Sequence, residues 1–276
     1  MMRLAFALLL ALLLALPAAA QQKTIKDPAE YKAYMAAYEQ KDAARRAVAM
    51  EAFAARYPQS VVRLDALEQA MAGFQQSGHR DKVTTLAAEI LKLDPDNLRA
   101  LALHVFMLRG KATADNDGAA LAELKPAVER GLSLLARQQK PAGLGEADFA
   151  RLKAQLGGIL EGAAGFVALQ AKDYDDARPH YLKAVAAEPG DLQNVYQLAL
   201  ACLEPEPPQA DGFWYLARAV ALADKGASAA VQDSIKKYAA AKYARYHGSD
   251  AGWNDILAKA AKSAAKPAGF TVKPAP

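Results

Sequence analysis

The chain has 276 residues, of which 53% are apolar, 8% aromatic and 23% charged, with a net charge of +4 at pH 7. That is enough chain for one helical solenoid or two ordinary domains, and enough apolar material for a sizeable core. Charges of both signs alternate along most of it without a concentrated basic stripe, which excludes ordinary nucleic-acid binding. A single cysteine, Cys202, excludes an internal disulfide. Alanine supplies much of the apolar fraction, β-branched runs are nearly absent, and no segment alternates as a strand does, so the fold class is all-α.

Residues 1–20 have the pattern of a secretory signal: Arg3, an apolar run over 4–16 too short to span a bilayer comfortably, Pro17, and the small residues Ala18, Ala19 and Ala20 before Gln21. No cysteine follows the run, so a lipid-modified start is not matched. Cleavage is expected after Ala20. The mature chain would keep 256 residues and a net charge of +3, would lie in the periplasm or outside the cell, and would have no transmembrane anchor.

Residues 21–110 read as helix pairs. The first pair, within 27–60, turns near 40–42, carries Met50 and Phe53 on its second helix and ends at Pro58. The second, 64–97, turns at 78–81, carries Val83, Ala87 and Ile90 at helical spacing and closes at Pro95, 37 residues after Pro58. A helix over 98–109 follows, then a polar loop over 110–118. Residues 111–157 form a helical insertion. Its long helix, 119–139, carries the stripe Leu121, Leu124, Val128, Leu132 and Leu135; a Pro/Gly breaker at 140–145 separates it from a helix over 147–156.

The clearest unit is 158–191, which opens a second set of pairs spanning 158–226. A helix over 160–170 leads to a turn at 172–173. Asp173 caps a helix over 174–187, which Pro179 should kink and which Pro189 and Gly190 stop. A helix over 191–203, a stiff loop at 204–208 and a helix over 213–224, with Leu216 and Ala219 inward, complete the set. Residues 227–265 predict two capping helices, broken at His247 and Gly248, with Ser249 and Asp250 capping the second; 266–276 predict a flexible Pro-rich tail.

The residues of 158–191 resemble the tetratricopeptide repeat. Gly165 takes the place of the small residue midway through the first helix, Ala177, Tyr181 and Ala184 follow the pattern of the second, and Pro189 closes the unit; Pro95 and Pro58 end the two earlier units in the same way. The aromatic positions of the first helix depart from the pattern, being Glu161 and Ala168. Near the end, Tyr243, Tyr246, His247, Gly248, Asp250, Gly252 and Trp253 are similar to a segment of exported bacterial repeat proteins. The resemblance implies an α-α superhelix, a tetratricopeptide-like solenoid with irregular insertions. It also implies a groove lined by the first helix of each pair, which makes Asp65, Glu68, Gln75, Gln76, Arg99, Phe106, Arg109, Gln170, Gln193 and Tyr196 the binding candidates. The family's carboxylate clamp is not matched, since Glu68, Ala72, Ala102 and Phe106 stand at its positions.

No constellation carries chemistry. His79, His104, His180 and His247 offer no pair at ligand spacing, and Cys202 lies in an apolar run. Asp173, Asp175 and Asp176 sit at a helix start, where negative charge complements the helix dipole. The loop 115–118 lacks the spaced ligands of a calcium site. No P-loop, nucleophile elbow or dinucleotide motif is present. Tyr238, Tyr243, Tyr246 and Trp253 suit the core of a cap, or a binding surface. The expectation is a non-enzymatic binding module without cofactor or metal, which holds a protein or peptide in the bacterial cell envelope. The alternatives are a structural part of an envelope assembly and an enzyme acting on cell-wall glycan from a helical scaffold.

Overall fold

The computed structural model describes residues 23–114, 117–141 and 143–275. The signal-like segment 1–20, with its cleavage position, lies outside them. Among the described residues the chain is all-α, with twelve helices and no strand. They fall into two compact units that divide between Leu156 and Gly157.

The first unit holds α1 (Pro28–Tyr38), α2 (Ala43–Arg56), α3 (Arg63–Gln76), α4 (Arg80–Leu93), α5 (Leu98–Ala114) and α6 (Gly118–Arg137). Each packs on the next in chain order. The starts are chemically set. Asp27, Asp42 and Asp117 lie in extended backbone, and each carboxylate accepts from free amides of the first turn, satisfying donors that a helix cannot pair itself. Met50, Phe53, Leu67, Met71, Leu86, Ile90 and Leu103 meet in one apolar cluster, where each helix hides a stripe that only its neighbours cover. Contact is closest at Gly73: a Cβ there would stand 2.6 Å from the Ala43 carbonyl oxygen and 2.8 Å from the Ala47 Cβ. Ion pairs tie the outer edges, Lys82–Glu51 at 2.8 Å and Arg63–Glu89 at 2.5 Å.

Helix α7 (Glu146–Gln170) runs through the point of division. The second unit continues with α8 (Tyr174–Ala187), α9 (Leu192–Leu203), α10 (Gly212–Gly226), α11 (Ala229–His247) and α12 (Trp253–Lys262). Consecutive helices pack from α8 to α11, and α12 returns to lie on α10. The second half of α7 meets α8 at Gly165, where a Cβ would stand 2.9 Å from the Tyr181 ring. Glu161 fastens the same hairpin through His180 Nδ1 at 2.5 Å and Lys183 Nζ at 3.0 Å. Ala177, Tyr181 and Ala184 are fully buried beneath them. Asp173 caps α8 by accepting from the Asp176 amide.

Several boundaries differ from the sequence expectation. Helix α5 continues through Gly110 to Ala114, because one glycine in an exposed helix costs only about 1 kcal/mol against the packing around it. Gly157 and Gly158 do not separate two helices; α7 is one rod of 25 residues. The deep face of α6 is Ala120, Leu124, Val128, Gly131 and Leu134, while Leu121, Leu132 and Leu135 are half-buried. The stripe is thus rotated toward the small residues, which let α5 approach. Pro179 lies within α8, which is continuous through it, although the missing amide leaves the Asp175 carbonyl without its helical donor. Ser249 and Asp250 do not cap α12. Its N-cap is Gly252 at φ +81°, a left-handed backbone that glycine adopts without strain.

The Pro-rich segment beyond α12 is extended, as its composition implies, but it is fastened rather than free. Lys266 pairs with Asp211 at 3.1 Å, the Phe270 ring lies 5.6 Å from that of Trp214, Val272 is 5% exposed, and the Ala275 amide donates to the Tyr246 carbonyl at 2.7 Å.

Candidate binding surface

Residues Asp65, Glu68 and Gln69 follow one another at helical spacing on α3 and share a face. Helix α1 borders this face on one side, where the Gln69 amide donates to the Tyr34 hydroxyl at 3.1 Å. The Lys23 ammonium donates to both Asp65 oxygens at 3.0 Å. The turn into α5 borders it on the other side: Asn97 donates its side-chain amide to Glu68 at 2.5 Å and accepts from the Ala100 amide at 3.1 Å. Asn97 therefore starts α5 and holds Glu68 at once. The surface is a polar strip that runs from the second half of α1 across the first half of α3 to the turn into α5, the first helices of successive pairs.

Its electrostatics are set by partial burial. Desolvation raises the Glu68 carboxyl above the ordinary glutamate value, against the Asn97 hydrogen bond and the Arg99 charge, which favour ionisation. Burial likewise lowers the Arg99 guanidinium to about 10, opposed by Glu68. Arg99 is partly exposed as a residue, but its Nε and Nη2 are covered and donate to no acceptor among the described residues. The partly exposed Asp65, Glu68 and Gln69 can exchange hydrogen bonds with a polar partner, whereas the unpaired Arg99 nitrogens lie beneath them, out of its reach.

The other candidates are dispersed. Gln76 and Phe106 are half-buried. Gln75 is 0% exposed and Arg109 8%, so neither offers a surface, a correction to the groove-facing placement. Their helices turn inward there: α3 buries Phe74 and Gln75 side by side at its last turn. Gln75 keeps both amide atoms without a partner among the described residues. In the second unit Gln170 and Gln193 are exposed. Tyr196 is half-buried with its ring 6.1 Å from Tyr238, edge-on. Tyr238 donates to Glu204 at 2.6 Å and Lys242 donates to the same oxygen at 3.0 Å. The Tyr238 bond, the largest influence, holds the Glu204 carboxyl below its ordinary value; burial and that same bond push the Tyr238 phenol up.

Sequence reasoning missed Lys23, Tyr34, Gln69 and Asn97 in the strip. Asn97 was visible as the end of a repeat unit, but nothing local says that its side chain reaches back 29 residues to Glu68. Gly73 was missed for the same reason. Residues with a clear apolar setting were readable: Cys202 is buried and its thiol is pushed up to about 12 by burial, so it stays protonated and unreactive. Tyr243 and Trp253 are buried, with rings 5.0 Å apart, and Phe213 lies 5.4 Å from Tyr243 and 5.0 Å from Tyr246. Half of that aromatic cluster, Tyr243 and Trp253, is core, while Tyr238 and Tyr246 are half-buried.

A cleft of about 500 Å³ opens in the second unit among α10, α11 and α12, lined by Val220, Ala240, Trp253 and Leu257 with the Asp224–Lys236 ion pair at 2.6 Å. Among the described residues, no three His, Cys, Asp or Glu side chains are grouped as a metal site would need, and no helix is long and apolar enough to cross a membrane.

Fold and surface together define a protein of serially packed helix pairs. No protein-family model matches the chain, and no curated protein sequence matches it.

Proposed function

We propose that this chain is an exported, tetratricopeptide-like module of the bacterial cell envelope that binds a protein or peptide partner on the polar strip of its first unit. The observation that carries this reading is the placement of the partly exposed Asp65, Glu68, Gln69 and Asn97 along the first half of α3 and the turn into α5, held by the Gln69–Tyr34 and Asn97–Glu68 hydrogen bonds. Packed side chains hold a surface of that kind before any partner arrives, so binding there orders few additional groups. The signal-like residues 1–20 support the compartment, and the resemblance of 158–191 to the repeat supports the class.

The test is site-directed photocrosslinking in cells. A crosslinking residue at Gln69 should capture a discrete protein partner, and Glu68→Ala with Arg99→Ala should abolish the adduct. The same probe at Val48, an exposed position on α2, should capture none. Equal capture at both positions, or adducts indifferent to the double substitution, rejects the strip. Fractionation of the same cells tests export: the chain should reach the envelope shortened to 256 residues.

A further inference from the structure

Residues 266–275 carry neither helix nor strand, yet they are held in the way a bound peptide is held. After a turn closed by the Phe270 amide on the Pro267 carbonyl (3.2 Å), burial alternates: Phe270 is half-buried, Thr271 exposed, Val272 buried and Lys273 exposed. That period of two belongs to an extended chain showing one face to a surface. The Phe270 ring meets Trp214 edge-on at 5.6 Å. Main-chain groups are recognised beyond the anchors: the His247 imidazole donates from Nδ1 to the Lys273 carbonyl at 2.9 Å, and the Ala275 amide donates to the Tyr246 carbonyl at 2.7 Å. Lys266 pairs with Asp211 at the opposite end. The surface so covered runs from the start of α10 to the end of α11.

We propose that 266–275 is an in-chain peptide ligand, and that the surface it covers, from Asp211 and Trp214 to Tyr246 and His247, takes an extended, Pro-flanked peptide bearing a Phe-x-Val pair from a partner protein. Side-chain anchors two residues apart, with backbone hydrogen bonds beside them, are a general mode of recognising extended peptides. Pro267 and Pro274 flank the anchors and restrict the unbound segment, which lowers the cost of ordering it. The contacts are few for ten residues of chain. The segment is retained because the exposed link 263–265 keeps it at an effective concentration on the order of millimolar. A partner peptide competes with the in-chain segment, which sets a threshold for binding. The surface under 266–275 and the polar strip of the first unit are separate surfaces, and either can fail without the other.

The experiment compares the full chain with a chain ending at residue 265, using as probe a fluorescently labelled synthetic peptide of residues 264–276. With the segment covering its surface more than nine-tenths of the time, the probe should bind the shortened chain at least tenfold more tightly than the full chain. A probe carrying Phe270→Ala and Val272→Ala should not bind. Equal binding to both chains, no binding to a shortened chain that retains its circular dichroism, or association of copies without probe binding overturns the proposal. Should the shortened chain lose its fold, a protease site placed in 263–265 of the full chain decides the matter. Release of the cut segment by excess unlabelled peptide supports the proposal, and its permanent retention shows an integral strut and overturns it.

Discussion

The two units use the same elementary device, a helix pair that hides its stripe against the next, but they fill it differently. The first is packed with aliphatic side chains and methionine: Met50, Leu67, Met71, Leu86, Ile90 and Leu103, with Phe53 and Phe74 as its buried rings. It leaves polar groups under-satisfied, namely Gln75 inside and Arg99 at the strip. The second is built on rings, with Tyr181, Phe213, Trp214, Tyr243 and Trp253 buried, and its polar groups close the structure. Arg218, only 8% exposed, donates to the Ala260 carbonyl at 2.8 Å near the end of α12 and to that of Pro189 at 3.4 Å. A cation near the last carbonyls offsets the negative end of a helix. The contrast teaches that a unit can be finished by aromatic packing and a backbone-directed cation; buried polar atoms without a partner occur in both, as Trp214 Nε1 in the second and Gln75 in the first.

Four measurements would break or sharpen this contrast. The largest effect is expected at Trp214, 1% exposed, where Trp214→Ala should destabilise the second unit by about 3–5 kcal/mol. Urea unfolding followed by probes placed in each unit should show the loss in the second unit's transition; an equal loss in both would mean that the units do not melt separately. The close contacts come next. Gly165→Leu and Gly73→Leu should each cost about 1–3 kcal/mol by forcing α7 from α8 and α3 from α2. At Gly73 the obstacle is a backbone oxygen, so even Gly73→Ala should be destabilising, and an unchanged melting temperature would contradict the pairing. In the opposite direction, Gln75→Met should stabilise the first unit by about 1–2 kcal/mol, because it replaces two unpaired buried polar atoms with an apolar group of similar length. A loss there would reveal a polar requirement in the first unit's core.

The smallest effects concern pH. Glu68 is raised in the folded chain, so the folded state keeps its proton where the unfolded chain has released it. Its contribution is fully present below the ordinary glutamate value and is lost as pH rises through the raised one. Glu204 is lowered, so its contribution is present above the ordinary value and is lost as pH falls through the lowered one. Glu68→Gln should therefore flatten a fall in stability with rising pH, and Glu204→Gln should flatten a fall with acidification. The Glu204 pair is 39% exposed on the acid side, so its effect should amount to about 0–1 kcal/mol, read from thermal melts over an acid-to-neutral series. Slopes of the same sign for both would remove the electrostatic difference between the units.

Much of the helical frame is local chemistry and was readable. Asp173 reads as a cap and is one; Asp27, Asp42, Asp117 and Asp191 cap their helices in the same way, a short carboxylate satisfying free amides of the first turn, and local sequence could have shown them. Spacing at three and four residues gives Val83, Ala87 and Ile90 as an inward stripe, and the resemblance of 158–191 to the repeat implies the same for Ala177, Tyr181 and Ala184; all six are buried. Lengths were less readable where a weak local penalty met strong packing, as at Gly110 and at Gly157–Gly158. Of the groove-facing candidates, Asp65, Glu68 and Arg99 fall on one face. Gln75 and Arg109 lie inside, since period alone cannot tell the edge of a stripe from its centre.

The sequence by itself determined the all-α class, the helix starts and the residues that must be hidden, because those follow from backbone donors and from apolar spacing within a turn or two of chain. Only the tertiary structure decided that Asn97 holds Glu68, that Gly73 touches Ala43 and that the Pro-rich segment lies on Trp214. Each joins residues roughly 30 or more positions apart, and such meetings are fixed by how helices pack against one another.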